Sequence, residues 1–392
     1  MFRAWAFTEM PYPYIPPEET FPSARVSLPA QIYDPELGHQ LYRKYFDIYR
    51  RADELGLDVM VNEHHSTATC VEPAVPLSLA ILARETERAR LLTLGNPIAN
   101  RRQPVRVAEE MAMIDVISQG RLEAGFVRGV PMELSAGNSN PVDMKPRFWE
   151  AADLIVKAWT THDGPFNWEG EFFHHRQVNV WPRVYQEPHP PVWVPTQTTS
   201  SALEIAERGY TVATILNGVE GAKGIFDAYR QRSEECGYGE PALEKLAYCG
   251  LIFVGETDED GYAGARKLQW YLQHNKVAVQ FMDVPGYLDA RVRAAMMQRS
   301  LDGEPITTPT AHLGAAPIDE LTKDGFFFAG SPDTVFRQLR DFYERVGGFG
   351  NLLMMVQGGT MGYELVARSM ELFAREVLPR FRTEVFEGWG EP

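Results

Sequence analysis

The segment Val59-Met60-Val61-Asn62-Glu63-His64-His65 puts an acid and two histidines at the end of a short apolar run. The run reads as a buried strand of a parallel sheet, whose two faces are both covered. Parallel α/β folds carry their chemistry at the carboxyl ends of their strands. Imidazole titrates near neutral pH, so a histidine there suits proton transfer. Neighbours along a strand point to opposite faces, so His64 and His65 cannot share one pocket unless the strand has already ended. Two further groups suit an anion. Arg128, in Gly125-Phe126-Val127-Arg128-Gly129, and Arg147, in Lys145-Pro146-Arg147-Phe148, flank one strand-to-helix connection and could clamp a dianion bidentately. The run Thr196-Gln197-Thr198-Thr199-Ser200-Ser201 precedes a helix expected from Ala202. Hydroxyls, free backbone N–H groups and the helix dipole converge there into a phosphate cradle. Gly95-Asn96-Pro97-Ile98 punctuates another strand end and could let backbone approach a planar ligand. Each group also has a plainer reading, as polar strand ends, an ordinary turn, surface arginines or N-capping by one serine.

Other chemistries lack their signatures. There is no G-x-G-x-x-G or Walker loop for a tightly held dinucleotide or nucleoside triphosphate. No histidine or cysteine cluster has metal spacing, and no nucleophile elbow supports Ser-His-Asp catalysis. His174-His175 lies in an aromatic stretch and reads as structural.

The 392 residues are 44% hydrophobic and 23% charged, ordinary for a globular enzyme. A net charge of −15 argues against nucleic acid or anionic membrane as a partner. No apolar run approaches membrane-helix length, and the apolar stretch at residues 1–7 is too short for a signal-peptide core. Cys70, Cys236 and Cys249 are odd in number and widely spaced, which suits a reducing cytoplasm.

Strand patterns fall at residues 3–7, 58–62, 91–95, 121–126, 192–195, 210–215, 246–254 and 350–356, with helical patterns between them. Residues 104–117 open with proline and bury Val107, Met111 and Ile114; residues 362–377 carry Val366, Met370, Phe373 and Val377; Ser331 caps a helix reaching about Val346. Eight βα units in order predict one domain over 1–392, a closed (β/α)8 TIM barrel, with an open doubly wound sheet as the alternative. A plain barrel takes about 250 residues, so the surplus forms insertions after strands 1, 4 and 7, at residues 8–34, 165–191 and 255–325. The first and third are expected to wall or lid the site. The second, an aromatic hairpin, is expected to pack over the barrel.

The order and wording of these segments resemble the bacterial luciferase-like flavin-dependent monooxygenases. The resemblance rests on Glu63-His64-His65, Gly95-Asn96-Pro97, Pro104-Val105-Arg106-Val107-Ala108-Glu109-Glu110, Gly120-Arg121-Leu122 with Gly125-Phe126-Val127-Arg128-Gly129, Glu207-Arg208-Gly209 and Gly330-Ser331-Pro332-Asp333-Thr334. It runs from about residue 2 to residue 380. It implies a cytoplasmic, commonly dimeric barrel that takes reduced FMN from a separate reductase. Such an enzyme oxygenates a small, apolar or aromatic substrate through a flavin peroxide. It implies His64 as the catalytic group beside the flavin ring. Cofactor-binding positions would be Glu63, Asn96, Val127, Arg128, Arg147, Gln197, Thr198, Ser200 and Ser201, with a nonprolyl cis peptide near Pro97. Gln197 stands where some relatives have glutamate, and Val127 where some have cysteine. The rival readings are a deazaflavin-dependent hydride-transfer enzyme on the same fold and a flavin-binding, non-catalytic subunit of a hetero-oligomer.

Overall fold

The computed structural model describes residues 1–17, 20–21, 23–275, 277, 279–288, 290–302 and 311–386. Part of the expected 255–325 insertion, residues 303–310, and the last residues of the 1–392 domain therefore lie outside the described residues.

Eleven strands are present among the described residues: β1 (Arg3–Thr8), β2 (Asp58–Val61), β3 (Leu91–Asn96), β4 (Leu122–Phe126), β5 (Phe166–Glu169), β6 (His174–Val178), β7 (Val192–Pro195), β8 (Thr211–Ile215), β9 (Leu246–Val254), β10 (Phe327–Gly330) and β11 (Asn351–Gln357). Parallel pairing runs β9-β11-β1-β2-β3-β4-β7-β8, and β8 pairs back onto β9. The eight-strand barrel is therefore closed. Trp5 lies opposite Leu353 on one side and Asp58 on the other, and Val212 meets Leu246 at the closure. Closed parallel strands are covered on both faces, which is why β9 and β11 are buried along their whole length.

All eight expected barrel strands are present, within about a residue at most ends. The ninth parallel strand, β10, was not expected. It pairs with Leu251–Val254 of β9, beyond the residues that β8 reaches. Its signal is the apolar run Phe326-Phe327-Phe328-Ala329 just before the Ser331 cap, too short to separate from the insertion by periodicity.

The helices form where caps and apolar stripes agree. In Pro35–Glu54, Asp34 accepts the N–H groups of Glu36 and Leu37, and Leu41, Tyr45, Ile48, Tyr49 and Ala52 face inward. Pro104–Ile117 buries Val107, Met111 and Ile114 as expected. Ser331 accepts from Thr334 N and opens Pro332–Arg345. The helix Tyr363–Leu372 continues into a π-helical stretch, Phe373–Val377.

The aromatic hairpin is real, with β5 and β6 antiparallel, but it follows the helix Met144–Thr160 rather than the β4 loop. It packs along that helix, where Glu150 accepts from Trp168 Nε1 and the N–H groups of Glu171, Phe172 and Phe173. The residues after β4 instead form a loop with a short turn of helix at Pro131–Glu133. The nonprolyl cis bond lies at Leu94–Gly95, and the bond before Pro97 is trans. No helix among the described residues is long and apolar enough to cross a membrane.

Candidate active site

A cavity of about 1030 Å³ opens at the carboxyl ends of the barrel strands. Strand ends supply Phe7, Met60, Leu94, Gly95, Val194 and Leu353, the β4 loop supplies residues 127–133, and the insertion after β9 supplies Tyr271, Asn275, Met282 and Tyr287. Residues 8–34 contribute Glu9 and Arg25, whereas the β5–β6 hairpin contributes nothing. Gly95 is needed at the wall: a Cβ there would stand 2.4 Å from Cγ1 of Val127.

The inner part of the cavity is charged. His64 follows β2, whose last residue is Val61, and its Nδ1 lies 2.9 Å from Glu133 Oε1 and 2.9 Å from Arg25 Nη2. Its Nε2 is 3.9 Å from Glu9 Oε2. Glu9 in turn accepts from Asn62 Nδ2 at 2.8 Å and shares a hydrogen bond with Tyr271. Arg25 reaches Thr69 Oγ1 at 3.0 Å and also Asn275 Oδ1. Glu9, Arg25 and Glu133 are all almost fully buried. Burial alone would raise the Glu133 carboxyl, but the His64 bond, the charges of His64 and Arg25 and the His65 backbone N–H outweigh it and hold it below its usual range.

Glu63 and His65 look the other way. The Glu63 carboxylate takes Arg101 Nη2 at 2.6 Å, His65 Nε2 at 2.9 Å and the N–H of Val75 at 3.1 Å. These donors saturate it, and its hydrogen bond to His65 raises the pKa of that imidazole. Glu63 therefore borders the cavity while its charge is spent holding the β2 and β3 loops together. Of the histidine pair, only His64 borders the cavity.

The outer part is a hydroxyl-rich helix start. Thr198 caps Thr199–Glu207, with its Oγ1 accepting from Ser201 N at 3.4 Å. The helix thus begins three residues before the expected Ala202, because Thr198 is the capping oxygen. Thr198, Ser201 and Gln197 line the cavity, and Gln197 Nε2 donates to Ile215 O at 3.2 Å. Ser200 sits in the first turn, is exposed, and does not line it. Val127 and Arg128 do line it, and the Arg128 guanidinium lies 4.0 Å over the Tyr287 ring. The Tyr287 hydroxyl donates to Gly129 O at 2.7 Å, seating the insertion on the β4 loop.

Besides Ser200, two more expected site residues lie outside the lining. Arg147 donates from Nε to Ala99 O at 2.9 Å and from Nη2 to Arg101 O at 3.1 Å, over the ring of Phe173. It is outside the cavity lining, and Lys145 lines it instead, 2.6 Å from Glu204. Residues two apart on a helix point about 200° apart, so the segment could offer the cavity only one of these cations. Asn96 is fully buried beside the lining, with its Oδ1 3.4 Å from Arg101 Nε.

Sequence reasoning missed Glu9, Arg25, Glu133, Lys145 and Tyr287. Lys145 and Glu133 had a faint signal, each standing in or next to a segment already singled out at a strand end. Glu9, Arg25 and Tyr287 had only the expectation that the insertions holding them wall the site, because only folding brings them to His64 or Arg128.

These features describe a closed barrel in which one cavity joins a hydroxyl-rich helix start to a buried group of ionisable side chains. The chain belongs to the luciferase-like monooxygenase family, whose model matches residues 26–348. It is 25% identical over 360 residues to the oxygenase component of a flavin-dependent trigonelline monooxygenase of Acinetobacter baylyi, covering 90% of this chain and 93% of the relative. Among solved structures it is similar to the monooxygenase RslO1 of Streptomyces bottropensis, at 26% identity and a TM-score of 0.71, covering 97% and 100% of the two chains. It shares its fold with the oxygenating constituent of 3,6-diketocamphane monooxygenase of Pseudomonas putida, solved with FMN, at 20% identity and a TM-score of 0.69, covering 97% and 98%.

Proposed function

We propose that this protein is the oxygenase of a two-component system, taking reduced FMN from a separate reductase and oxygenating a small organic substrate with molecular oxygen. The observation that carries this reading is one cavity lined both by the Thr198–Ser201 helix start and by His64. The donor set fits a flavin phosphate: hydroxyls and free N–H groups at a helix N-terminus, with Lys145 and Arg128 on the same cavity. Bound reduced FMN would supply the electrons that activate oxygen.

The chain's own residues do the rest. Thr198, Ser201 and Lys145 hold the anion, with Lys145 exchanging Glu204 for it, and Arg128 adds charge from the opposite loop. Gly95 and Val127 form a close-packed wall for a planar ring. His64 holds or moves a proton at Nε2. Tyr271, Asn275, Met282 and Tyr287 cover the cavity and exclude water, protecting the reaction from loss as hydrogen peroxide. The mostly apolar strand ends suit an apolar or aromatic substrate. The relative's designation as an oxygenase component supports the separate reductase. A homodimer is supported by exposed apolar side chains on two packed helices, Leu77 and Ile81 on Val75–Glu85 and Met113, Val116 and Ile117 on Pro104–Ile117. Sedimentation giving only a monomer at micromolar concentration would remove that part.

The test is anaerobic titration with reduced FMN, riboflavin and a deazaflavin, followed by oxygen-dependent turnover with an added reductase. FMN should bind best, and the protein alone should not turn over NADH. Robust NADH oxidation without a reductase, or tight binding of the deazaflavin alone, overturns the reading. His64→Ala should keep FMN affinity but lower product yield by about 10²-fold, the scale of a positioned acid–base group, while hydrogen peroxide rises.

A further inference from the structure

Nδ1 of His64 has two neighbours at the same 2.9 Å, Oε1 of Glu133 and Nη2 of Arg25. A guanidinium only donates and a carboxylate only accepts. One ring nitrogen cannot serve both, so one of the two contacts is a hydrogen bond and the other is only close packing. The surroundings decide which. Arg25 places Nη1 on the acceptors Thr69 and Asn275, and its Nη2 has Glu133 at 3.9 Å as an ion-pair partner. Glu133 is a carboxylate with 4% of its surface exposed, and a buried charge needs donors close by. The Nδ1–H of His64 is the side-chain donor at hydrogen-bond distance. Nε2 faces Glu9 across 3.9 Å, and His64 borders the cavity.

We infer that Arg25 and Glu133 are a positioning pair for His64: Glu133 takes the Nδ1 proton and fixes the ring, so that Nε2 is the nitrogen offered to the cavity, and Arg25 balances the Glu133 charge. The pair draws on three segments far apart in the chain: the β1 loop, the β2 end and the β4 loop. Arg25 also binds Asn275 of the insertion, so seating the insertion and orienting the ring share one guanidinium. The inference rests on the proposed role of His64, but its first readout does not need turnover.

That readout is the tautomer. Protein labelled with 15N-histidine, without flavin, is observed by long-range 1H–15N correlation, and His64→Gln assigns the resonance. His64 should carry a proton on Nδ1, whether or not Nε2 is also protonated. Glu133→Leu, which removes the acceptor, should abolish that pattern, and Arg25→Lys, which keeps the charge, should retain it. With FMN and a reductase, Glu133→Leu should lower product yield by about 10-fold or more while FMN affinity changes less than about 2-fold, which a merely structural role would not produce. A bare Nδ1 in the wild-type protein, or an unchanged pattern in Glu133→Leu, overturns the inference. The wild-type tautomer decides it even if a variant fails to fold. If the tautomer is as stated but His64→Ala turns over normally, the positioning stands and the proposed role of His64 fails.

Discussion

Both ends of the barrel hold buried charge, and they use it differently. At the amino-terminal end Glu123 contacts Arg90, accepts Trp193 Nε1 at 2.6 Å, and is closed over by Trp5 packed edge-on against Trp193 at 5.5 Å. Arg90 also reaches Gln186 Oε1 at 3.2 Å, and Gln186 donates to Asp115 at 2.8 Å. No residue of this group lines the cavity. At the carboxyl end, the Glu9, Arg25, His64 and Glu133 group does. The same residue types thus make a plug at one end and a site at the other. The difference is access: where every polar atom is turned on another protein atom, charge only stabilises, and where the group borders open volume, a proton can be exchanged. Barrels commonly divide stability and chemistry between their ends in this way.

The sharpest way to break the comparison is to remove a charge from the plug. Glu123→Ala takes the carboxylate from the part-buried Arg90 and the acceptor from Trp193 Nε1 and should cost about 3 kcal/mol of stability, read by denaturant unfolding, with FMN affinity unchanged in the protein that remains folded. Loss of FMN binding at undiminished stability would show that the two ends are not separate. The next largest effect contrasts two arginines. Arg128→Ala should remove about 1.5–3 kcal/mol of charge-assisted binding, which is roughly 10- to 150-fold in FMN affinity, and should leave riboflavin nearly unaffected. Arg147→Ala frees the carbonyls of Ala99 and Arg101 and should weaken FMN and riboflavin alike, together with stability. If Arg147→Ala were selective for the phosphate, its placement on the outer loop would not describe the bound state.

The smallest effect is in pH. Burial raises the Glu123 carboxyl despite Arg90, whereas Glu133 is held below its usual value of 4.5. A raised carboxyl binds more protons folded than unfolded, so its contribution is full below about 4.5 and is lost as pH rises through the folded value. A depressed carboxyl contributes above about 4.5 and is lost as pH falls through its folded value. Thermal melts from well below about pH 4.5 up to neutrality should therefore show Glu123→Gln removing a decline toward neutral pH and Glu133→Gln removing a decline toward acid. Identical pH slopes in both variants would erase the electrostatic contrast between the ends.

Much of this protein was legible in the chain itself. Alternating apolar strands and amphipathic, capped helices determine a parallel α/β fold of eight units, because strand and helix periods are local and each unit repeats the same logic, while the pairing of β8 with β9 decided that it closes. The ends of those strands offered the histidine pair, Arg128 and the 196–201 run as candidates, since topology sends every strand's carboxyl end to one face, and the family resemblance singled out His64, Thr198 and Ser201 among them. What tertiary structure alone decided is direction and company. Lys145 faces the cavity and Arg147 faces away because a helix turns between them; Glu63 borders the cavity with its charge spent on Arg101, His65 and Val75. Arg25, Glu133 and Glu9 reach His64 from loops 39, 69 and 55 residues away. No local pattern encodes such a meeting, because a buried ion group is selected by the closed space around it and not by its neighbours in sequence.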